Sequence, residues 1–286
     1  MTQKKPLVTV IIVSYNHEDY VTQAINSVLS QTYKSIELIV IDDGSKDRSV
    51  EKILKLKDKF SFKFITRKNR GLAVTLNEAV NLSKGLYIAA LASDDYYLPK
   101  RIEHAVNKLN HLPKDFVAVY SDGYMINTNN RKLCQFSDIY PRPLIGSVYN
   151  NLLCSNWIPA MGVTFRASIL KKNKYDNRFI IEDWSQYLRI FKNRHYKIQY
   201  YKAFDFCYRQ HNRNISKDSD LMKEQFNFMR SSFKDLGNFH QFKDQLKMKR
   251  FSMLKRLNFT NINLIFLSTL RILQRRYKAL SLYSNE

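Results

Sequence analysis

Apolar segments that end in carboxylates recur along the N-terminal third of the chain. Leu7 to Ser14, Ile36 to Asp43 and Tyr87 to Asp95 each have the pattern of a strand buried on both faces and followed by a polar turn. Segments with a helical pattern, such as Tyr20 to Ser30 and Ser49 to Phe60, lie between them. This alternation predicts an α/β fold with a mostly parallel, doubly wound sheet.

Two of these strands end in a pair of aspartates, Asp42 with Asp43 and Asp94 with Asp95. Ligands of open α/β sheets bind at the carboxyl ends of the strands, and Mg²⁺ or Mn²⁺ is held there by carboxylates that share it with substrate phosphates. The alternative for the second pair is capping of the helix that begins at Pro99. The pattern alone leaves both interpretations open.

The turn after the first strand excludes some nucleotide chemistry. Ser14-Tyr-Asn-His-Glu18 contains neither the G-x-G-x-x-G of dinucleotide-binding folds nor the G-x-x-x-x-G-K of a P-loop. Hydride transfer and ATP hydrolysis are therefore disfavoured.

The charge of the chain indicates a polyanionic partner. Its 47 Lys and Arg exceed its 25 Asp and Glu by 22, which suits nucleic acid, an anionic membrane or phosphate-bearing substrates. Cys134, Cys154 and Cys207 are far apart and lack a C-x-x-C spacing, so they support neither a disulfide framework nor a zinc site. We expect a reducing, cytoplasmic setting.

A third acidic pair, Glu182 and Asp183, precedes a helical segment near Trp184 to Lys192 whose apolar residues share one face. Trp157 either lines an acceptor pocket or fills the core, and the core is favoured because Trp is usually largely buried. His211 gains interest from Arg209 and Arg213, whose guanidinium groups match phosphate.

The last 66 residues, Leu221 to Glu286, contain 13 Lys or Arg and 4 Asp or Glu, a net charge of 13 − 4 = +9. Basic and apolar residues are interleaved there, as in helices that lie on anionic lipid, although a solvated helical cap is nearly as consistent. No segment reaches the ~18 apolar residues of a membrane span. We expect peripheral binding of 238–284 to the inner face of the cell membrane.

In order and spacing, five motifs of the chain resemble those of the family 2 glycosyltransferases. They are Val8 to Asn16, Asp42-Asp-Gly-Ser45, Asn69-Arg-Gly71, Ser93-Asp-Asp95 and Glu182-Asp183. The resemblance covers about residues 7–216 and implies the GT-A fold, a nucleotide-diphosphate sugar donor, most simply UDP-linked, a divalent Mn²⁺ or Mg²⁺ ion, and inversion at the anomeric carbon. It also implies a glycosyltransferase domain over 1–216, with a nucleotide-binding half at 1–115, a small acceptor-binding half at 116–216, and a basic helical extension at 217–286.

The resemblance assigns one group of residues to the donor. Ser14, Tyr15 and Asn16 border the nucleoside, Asp43 or Asp42 accepts from the base, and Asn69 and Gly71 line the nucleotide pocket. Asp94 approaches the ribose or sugar, and Asp95 holds the metal ion.

The resemblance assigns the remaining residues to the acceptor side and to closure. Asp183 is the general base, and Glu182 orients the acceptor, whose pocket includes Trp157. Arg209 and His211 close on the diphosphate, and His211 is a second candidate metal ligand.

Two positions depart from the family pattern, since many relatives have Asp at Ala92 and Arg at Leu76. Because Asp94 and Asp95 remain, the metal site is expected to be intact, whereas Leu76 cannot supply the contact to the phosphates or sugar that an Arg makes. A sugar nucleotidyltransferase lacks support, because the Gly-rich basic loop after the first strand is absent. The favoured function is that of a glycosyltransferase in surface polysaccharide or lipopolysaccharide synthesis, which acts on a glycan or lipid-linked acceptor and binds no nucleic acid. Two alternatives stay open: a nucleic-acid-binding protein and a non-catalytic sugar-binding scaffold.

Overall fold

The computed structural model of the protein describes residues 5–143 and 146–235. Its strands are β1 Val8–Ser14, β2 Ile36–Asp42, β3 Lys63–Thr66, β4 Tyr87–Ala92, β5 Tyr96–Tyr97, β6 Phe116–Ile126, β7 Lys132–Gln135, β8 Val163–Arg166 and β9 Lys197–Arg209. Its helices are α1 Val21–Leu29, α2 Ser49–Lys57, α3 Leu72–Leu82, α4 Arg101–Asn110, α5 Phe136–Ile139, α6 Val148–Cys154, α7 Ala167–Lys172, α8 Glu182–Phe191 and α9 Ser219–Ser232, with short 3₁₀ turns at Ala160–Gly162 and Ile215–Lys217. The segment 236–286, which includes the whole of the expected membrane-binding region 238–284, lies outside the described residues.

The N-terminal half of the sheet is parallel, as predicted, and its strands lie in the order β3-β2-β1-β4. β1 and β4 are almost continuously buried, because helices pack on both faces of this half. The register places Ser14 opposite Asp42, and the Asp43 amide donates to the Ser14 carbonyl over 2.8 Å. The carboxyl ends of these strands therefore form one edge, as the sequence predicts.

Beyond β4 the sheet becomes mixed, in the order β4-β8-β6-β9-β5, with β7 beside β6. β8 is antiparallel to both β4 and β6, whereas β6 and β9 are parallel. The mostly parallel expectation thus holds for the N-terminal half and not for this half. β9 is one long strand, and its pairing with β6 shifts register near Asp122.

Helix α9 packs on helix α8. The Phe226 ring stacks on Trp184 with centroids 5.7 Å apart, and Met229 is fully buried. Phe228 and Phe233 both contact Phe179, just before α8. Within 5–143 and 146–235, no helix combines the length and apolarity that crossing a bilayer requires.

Candidate active site

The turn after β1 is fastened to the turn after β2. The Asn16 amide donates to Ser45 Oγ over 2.8 Å, and Asn16 Oδ1 accepts from the Lys46 amide over 2.8 Å. The His17 amide donates to Ser49 Oγ over 3.1 Å. Asn16 has φ +54°, a left-handed conformation that Asn tolerates better than most residues. These bonds fix the direction in which the His17 side chain leaves the sheet edge.

The aspartates at the end of β2 organise two different loops. Asp42 accepts from the amides of Gly44 and Ser45 and from Ser45 Oγ, which closes its own turn. Gly44 has φ +85°, and a Cβ there would lie 2.6 Å from the Asn69 amide nitrogen. Any side chain at this position would therefore force the β2–α2 turn away from the β3–α3 loop.

Asp43 reaches across to the loop before α3. Its carboxylate accepts from the amides of Arg70 and Gly71 over 3.0 and 2.8 Å and pairs with the Arg67 guanidinium. Arg67 also donates to Thr75 and Glu78. Asp43 thus holds together the walls of the predicted nucleotide pocket.

Three other predicted nucleoside-side residues differ in accessibility. Ser14 is fully buried, whereas the Tyr15 side chain is 44% exposed at the sheet edge. Asn69 is exposed, and its Oδ1 accepts from the Gly71 amide. Tyr15 and Asn69 can therefore meet a nucleoside directly, while Ser14 lies behind them.

Next to this edge, His17, Asp94 and His211 bring one ligand atom each within 4.8 Å of one another. Asp94 Oδ2 lies 3.0 Å from His211 Nε2 and 3.8 Å from His17 Nε2. Burial acts to raise the pKa of Asp94, but the hydrogen bond from His211 and the charge of His17 outweigh it, so the pKa lies below its usual range. Asp94 is therefore an anion facing two imidazoles.

Asp95 lies in a different environment from Asp94. It is 1% exposed, and its Oδ1 accepts from the Arg209 amide over 2.8 Å. Burial and the neighbouring Asp94 charge raise the pKa of Asp95 well above its usual value. Within the described part of the chain no group donates to its Oδ2, and this carboxyl is not a member of the histidine cluster. The metal assignment of Asp95 stays a prediction, which this geometry favours less than Asp94.

Arg209 is buried beneath the cluster. Its Nε donates to the Asp94 carbonyl over 2.8 Å, and its terminal nitrogens donate to Gln23, Asn130 and the carbonyls of the turn after β6. The guanidinium also stacks on the Tyr20 ring. With five donors used on protein acceptors, Arg209 is suited to positioning Asp94. The contact of Arg209 with a diphosphate stays a prediction. Arg213 on the following loop is exposed, so its guanidinium is the more accessible of the two to a phosphate.

The donor set of the cluster fits a divalent metal ion. One carboxylate and two imidazoles are the ligand types of Mn²⁺, Co²⁺ and Zn²⁺ sites. Their arrangement leaves the Asp94 oxygen facing both rings. The sequence analysis missed His17. Its signal was its position in the turn after β1, a strand that ends at the same sheet edge as the strand before Asp94.

The acidic pair at the start of α8 borders a cavity of about 40 Å³. Ile88 and Ala90 of β4 line the same cavity, which has room for a water molecule or an acceptor hydroxyl. Asp183 Oδ2 accepts from Asn156 Nδ2 over 2.9 Å. Residues in the middle of β4 thus line the cavity of the acidic pair, and Asp94 follows the carboxyl end of the same strand.

Burial perturbs both carboxyls of this pair. Burial and the neighbouring Asp183 charge raise the pKa of Glu182 to about 8. Burial also raises the pKa of Asp183, although the hydrogen bonds from Asn156 and the Trp184 amide oppose it. A carboxylate with a raised pKa is a stronger base, which suits the predicted role of Asp183.

The Trp157 ring is buried and packs edge-on against Tyr120. Its direct role in acceptor binding stays a prediction, and its neighbour Asn156 is the residue that reaches Asp183. Sequence reasoning missed Asn156, because an isolated Asn in a loop has no distinguishing pattern.

The family model for glycosyl transferase family 2 matches residues 9–177. The chain belongs to glycosyl transferase family 2. This family 2 chain is 33% identical over 195 residues to an uncharacterized glycosyltransferase of Rickettsia typhi, an alignment that covers 65% of this chain and 59% of that protein. It is 30% identical over 215 residues to an uncharacterized glycosyltransferase of Methanocaldococcus jannaschii, with 73% of each chain covered.

One relative of this family 2 chain has a name that states its donor, its acceptor and the linkage it forms. The UDP-Glc:alpha-D-GlcNAc-diphosphoundecaprenol beta-1,3-glucosyltransferase WfaP of Escherichia coli is 37% identical over 137 residues, which cover 42% of this chain and 53% of that protein. The chain spans 59% of the Rickettsia typhi relative and 40% of its Rickettsia prowazekii counterpart.

Solved structures confirm the GT-A fold of this family 2 member. Staphylococcus aureus TarS 1–349 in complex with UDP-GlcNAc matches with a TM-score of 0.61 at 18% identity, covering 78% of this chain and 64% of that one. The mannosyltransferase PcManGT of Pyrobaculum calidifontis, in complex with GDP-Man and Mn²⁺, matches with a TM-score of 0.56 at 17% identity, covering 74% and 59%. Asp183 and His211 lie beyond the part that the family model matches.

Proposed function

We propose that the protein is an inverting glycosyltransferase. It transfers a hexosyl or N-acetylhexosaminyl group from a UDP-sugar to a hydroxyl of a glycan or lipid-linked acceptor, with a divalent metal ion. The observation that supports this most is the position of β4, which borders the cavity of Glu182 and Asp183 and ends at the cluster of Asp94. One strand therefore links a site suited to a metal diphosphate with a site suited to a base.

On the donor side, Asp94 and His211 are residues that would hold the metal ion. When bound, such an ion neutralises the charge that develops on the departing diphosphate. Tyr15 and Asn69 supply the accessible surface for the nucleoside, and Arg213 supplies a cation for the phosphates.

On the acceptor side, Asp183 accepts the proton of the attacking hydroxyl. Asn156 orients its carboxylate through Oδ2, and the cavity beside it admits a hydroxyl. Attack from this side, opposite the departing diphosphate, inverts the anomeric configuration.

The nature of the acceptor is supported by a relative rather than by the site itself. WfaP is named for transfer from UDP-Glc to a sugar on a diphosphate-linked polyprenol. An acceptor of the same class, in surface polysaccharide or lipopolysaccharide synthesis, fits the charge of +22 in this chain. A lipid-linked acceptor would also place the reaction at the cytoplasmic face of a membrane.

The proposal is tested by offering the protein UDP-glucose, UDP-galactose, UDP-GlcNAc and GDP-mannose, each with Mn²⁺ and with a chelator. We expect one UDP-sugar to raise the melting temperature in the presence of metal and to be consumed when a polyprenyl-diphosphate sugar is added. The anomeric proton coupling of the product reports inversion. Donor binding without turnover on any acceptor would favour the non-catalytic sugar-binding alternative, and no donor binding would remove the proposal.

A further inference from the structure

We propose that His17 is a protein ligand of the divalent ion that Asp94 binds, so that the site selects transition-metal ions over Mg²⁺. The inference rests on the proposed function for the presence of the ion. It adds a ligand from the turn after β1 to the site of Asp94 and His211. The sequence predicts only Asp95 and His211 as metal ligands.

The distances of the cluster are those of ligands around one ion. Two ligands that each lie about 2.1 Å from a cation are separated by about 3.0 to 4.2 Å when they occupy neighbouring or opposite positions. The separations of Asp94 Oδ2 from His211 Nε2 and from His17 Nε2, 3.0 and 3.8 Å, lie in this range. The two rings have centroids 5.8 Å apart and are nearly perpendicular. All three ligand atoms lie within 4.8 Å of one another, so a modest approach of the two rings would bring them around one ion.

The orientation of His17 is fixed by a partner suited to a ligating imidazole. Its Nδ1 lies 2.8 Å from Ser93 Oγ, which is buried. When Ser93 accepts the Nδ1 proton, the lone pair of Nε2 points toward Asp94. Outer hydrogen bonds of this kind hold the tautomer and the ring of metal-binding histidines. The backbone bonds of residues 16 and 17 to the β2–α2 turn add rigidity.

His211 is held differently from His17. The Arg213 amide donates to His211 Nδ1 over 3.1 Å, so the proton of the neutral ring is on Nε2, where it is donated to Asp94. For Nε2 to bind a metal ion, this proton must leave and the Arg213 amide must turn away. His17 needs no such change, and it is therefore the imidazole already arranged for the ion.

The ligand types set the choice of metal. Mg²⁺ takes oxygen ligands and keeps several waters, whereas two imidazoles favour first-row transition ions, with affinity rising from Mn²⁺ through Co²⁺. A His₂Asp site is thus expected to bind Mn²⁺ and Co²⁺ well and Mg²⁺ poorly.

The test measures metal binding by titration calorimetry on the full chain, with Mn²⁺ or Mg²⁺ and no donor. In the wild type we expect Mn²⁺ to bind at least about tenfold more tightly than Mg²⁺. His17→Asn places a side-chain amide near Ser93 but has no group at the position of Nε2. We expect it to lower Mn²⁺ affinity about tenfold or more and Mg²⁺ affinity much less, the size of change typical of altered metal-site residues.

Pulsed electron paramagnetic resonance of bound Mn²⁺ gives a second readout. We expect couplings from directly bound imidazole nitrogen in the wild type and fewer in His17→Asn. His104→Asn is the matched control, since His104 also contacts a buried carboxylate, Asp205, at 2.8 Å but lies outside the cluster. It is expected to leave both affinities and the nitrogen couplings unchanged.

The inference is overturned if His17→Asn binds Mn²⁺ within twofold of the wild type or retains every nitrogen coupling, or if the wild type binds Mg²⁺ as tightly as Mn²⁺. If His17→Asn does not fold, His17→Phe, which keeps an aromatic ring but has no nitrogen that can bind a metal ion, is measured in its place and must show the same weaker Mn²⁺ binding. Normal donor turnover together with unchanged Mn²⁺ binding would reject this inference and leave the proposed function standing. His17-dependent Mn²⁺ binding without any donor binding would do the reverse.

Discussion

Adjacent carboxyl groups at residues 94 and 95 are expected to respond differently to the same substitution. Asp94→Asn removes an anion that faces two imidazoles, so we expect Mn²⁺ affinity to fall by about two orders of magnitude. Asp95→Asn replaces a buried carboxyl whose pKa is already raised, so we expect Mn²⁺ affinity to change less than about threefold. Titration calorimetry of Mn²⁺ binding to both variants decides which aspartate binds the metal ion. The opposite ranking would restore Asp95 as the metal ligand.

Exchanging Asp183 for Asn tests the base. Asn keeps the size of the side chain and removes its basicity, so we expect the transfer rate to fall by about 10²–10⁴-fold. Donor affinity, measured by calorimetry with a UDP-sugar, is expected to stay within about twofold. Full activity in the variant would end the assignment, and a matching loss of donor affinity would place Asp183 on the donor side.

Glu182 makes stability depend on pH. Its pKa rises from 4.5 to about 8 on folding, so the folded state holds a proton that the unfolded chain releases. This stabilisation is fully present below about pH 4.5 and is lost as the pH rises through about 8. At pH 9, Glu182→Gln is expected to be more stable than the wild type by a few kcal/mol, because each unit of pKa shift corresponds to about 1.4 kcal/mol.

Thermal melting at pH 5, 7 and 9 measures this difference. Glu51→Gln is the control, because Glu51 is an exposed residue that pairs with Lys55. Its melting temperature is expected to follow the wild type at every pH. A Glu182→Gln curve parallel to that of the wild type would show that the carboxyl ionises normally.

At the level of elements, the end of β9 holds the loops of the site in place through Arg209. Lys at this position has three donors on one nitrogen and cannot reach the separate acceptors that the guanidinium joins. We expect Arg209→Lys to lower the free energy of unfolding by about 2–4 kcal/mol, because buried carbonyls lose their partners. Urea denaturation measures it. Arg213→Lys, an exposed exchange on the next loop, should change stability by less than about 0.5 kcal/mol.

The same elements show how far sequence patterns reach. β1, β2 and β4 and the acids at their ends follow from local apolar runs and turns, which are properties of adjacent residues. The order β8-β6-β9 depends on pairing between segments far apart in the chain, and no local pattern encodes it. For the same reason the meeting of His17 with Asp94, and the burial of Arg209, follow only from the three-dimensional structure.

At the level of the whole molecule, positive charge is expected to bring the protein to membranes. Each basic residue near anionic lipid contributes ~1 kcal/mol, and residues 221–286 have a net charge of +9. We expect flotation with vesicles that contain anionic lipid, release at high salt, and no flotation with neutral vesicles. Equal binding to both vesicle types, or to neither, would contradict an electrostatic mechanism.

A set of substitutions locates the effect. Lys247, Lys249 and Arg250 replaced together by Gln should weaken flotation clearly. The matched control replaces Lys57, Lys59 and Lys63, which are exposed on the folded domain, and is expected to leave flotation nearly unchanged. Equal loss in both sets would indicate that total charge decides, and not the C-terminal segment.

Among the residues that the structure describes, β9 is the last strand, yet it lies between β6 and β5 in the sheet. During synthesis, β6 is made before both β8 and β9, and the edge that pairs with β9 stays open until residues 197–209 follow. An open strand edge can pair with another chain. The interval between residues 126 and 197 is thus the stage at which a nascent chain is exposed to aggregation, and slowing translation within it should lower the yield of folded protein. Pauses placed after residue 240 should have no such effect.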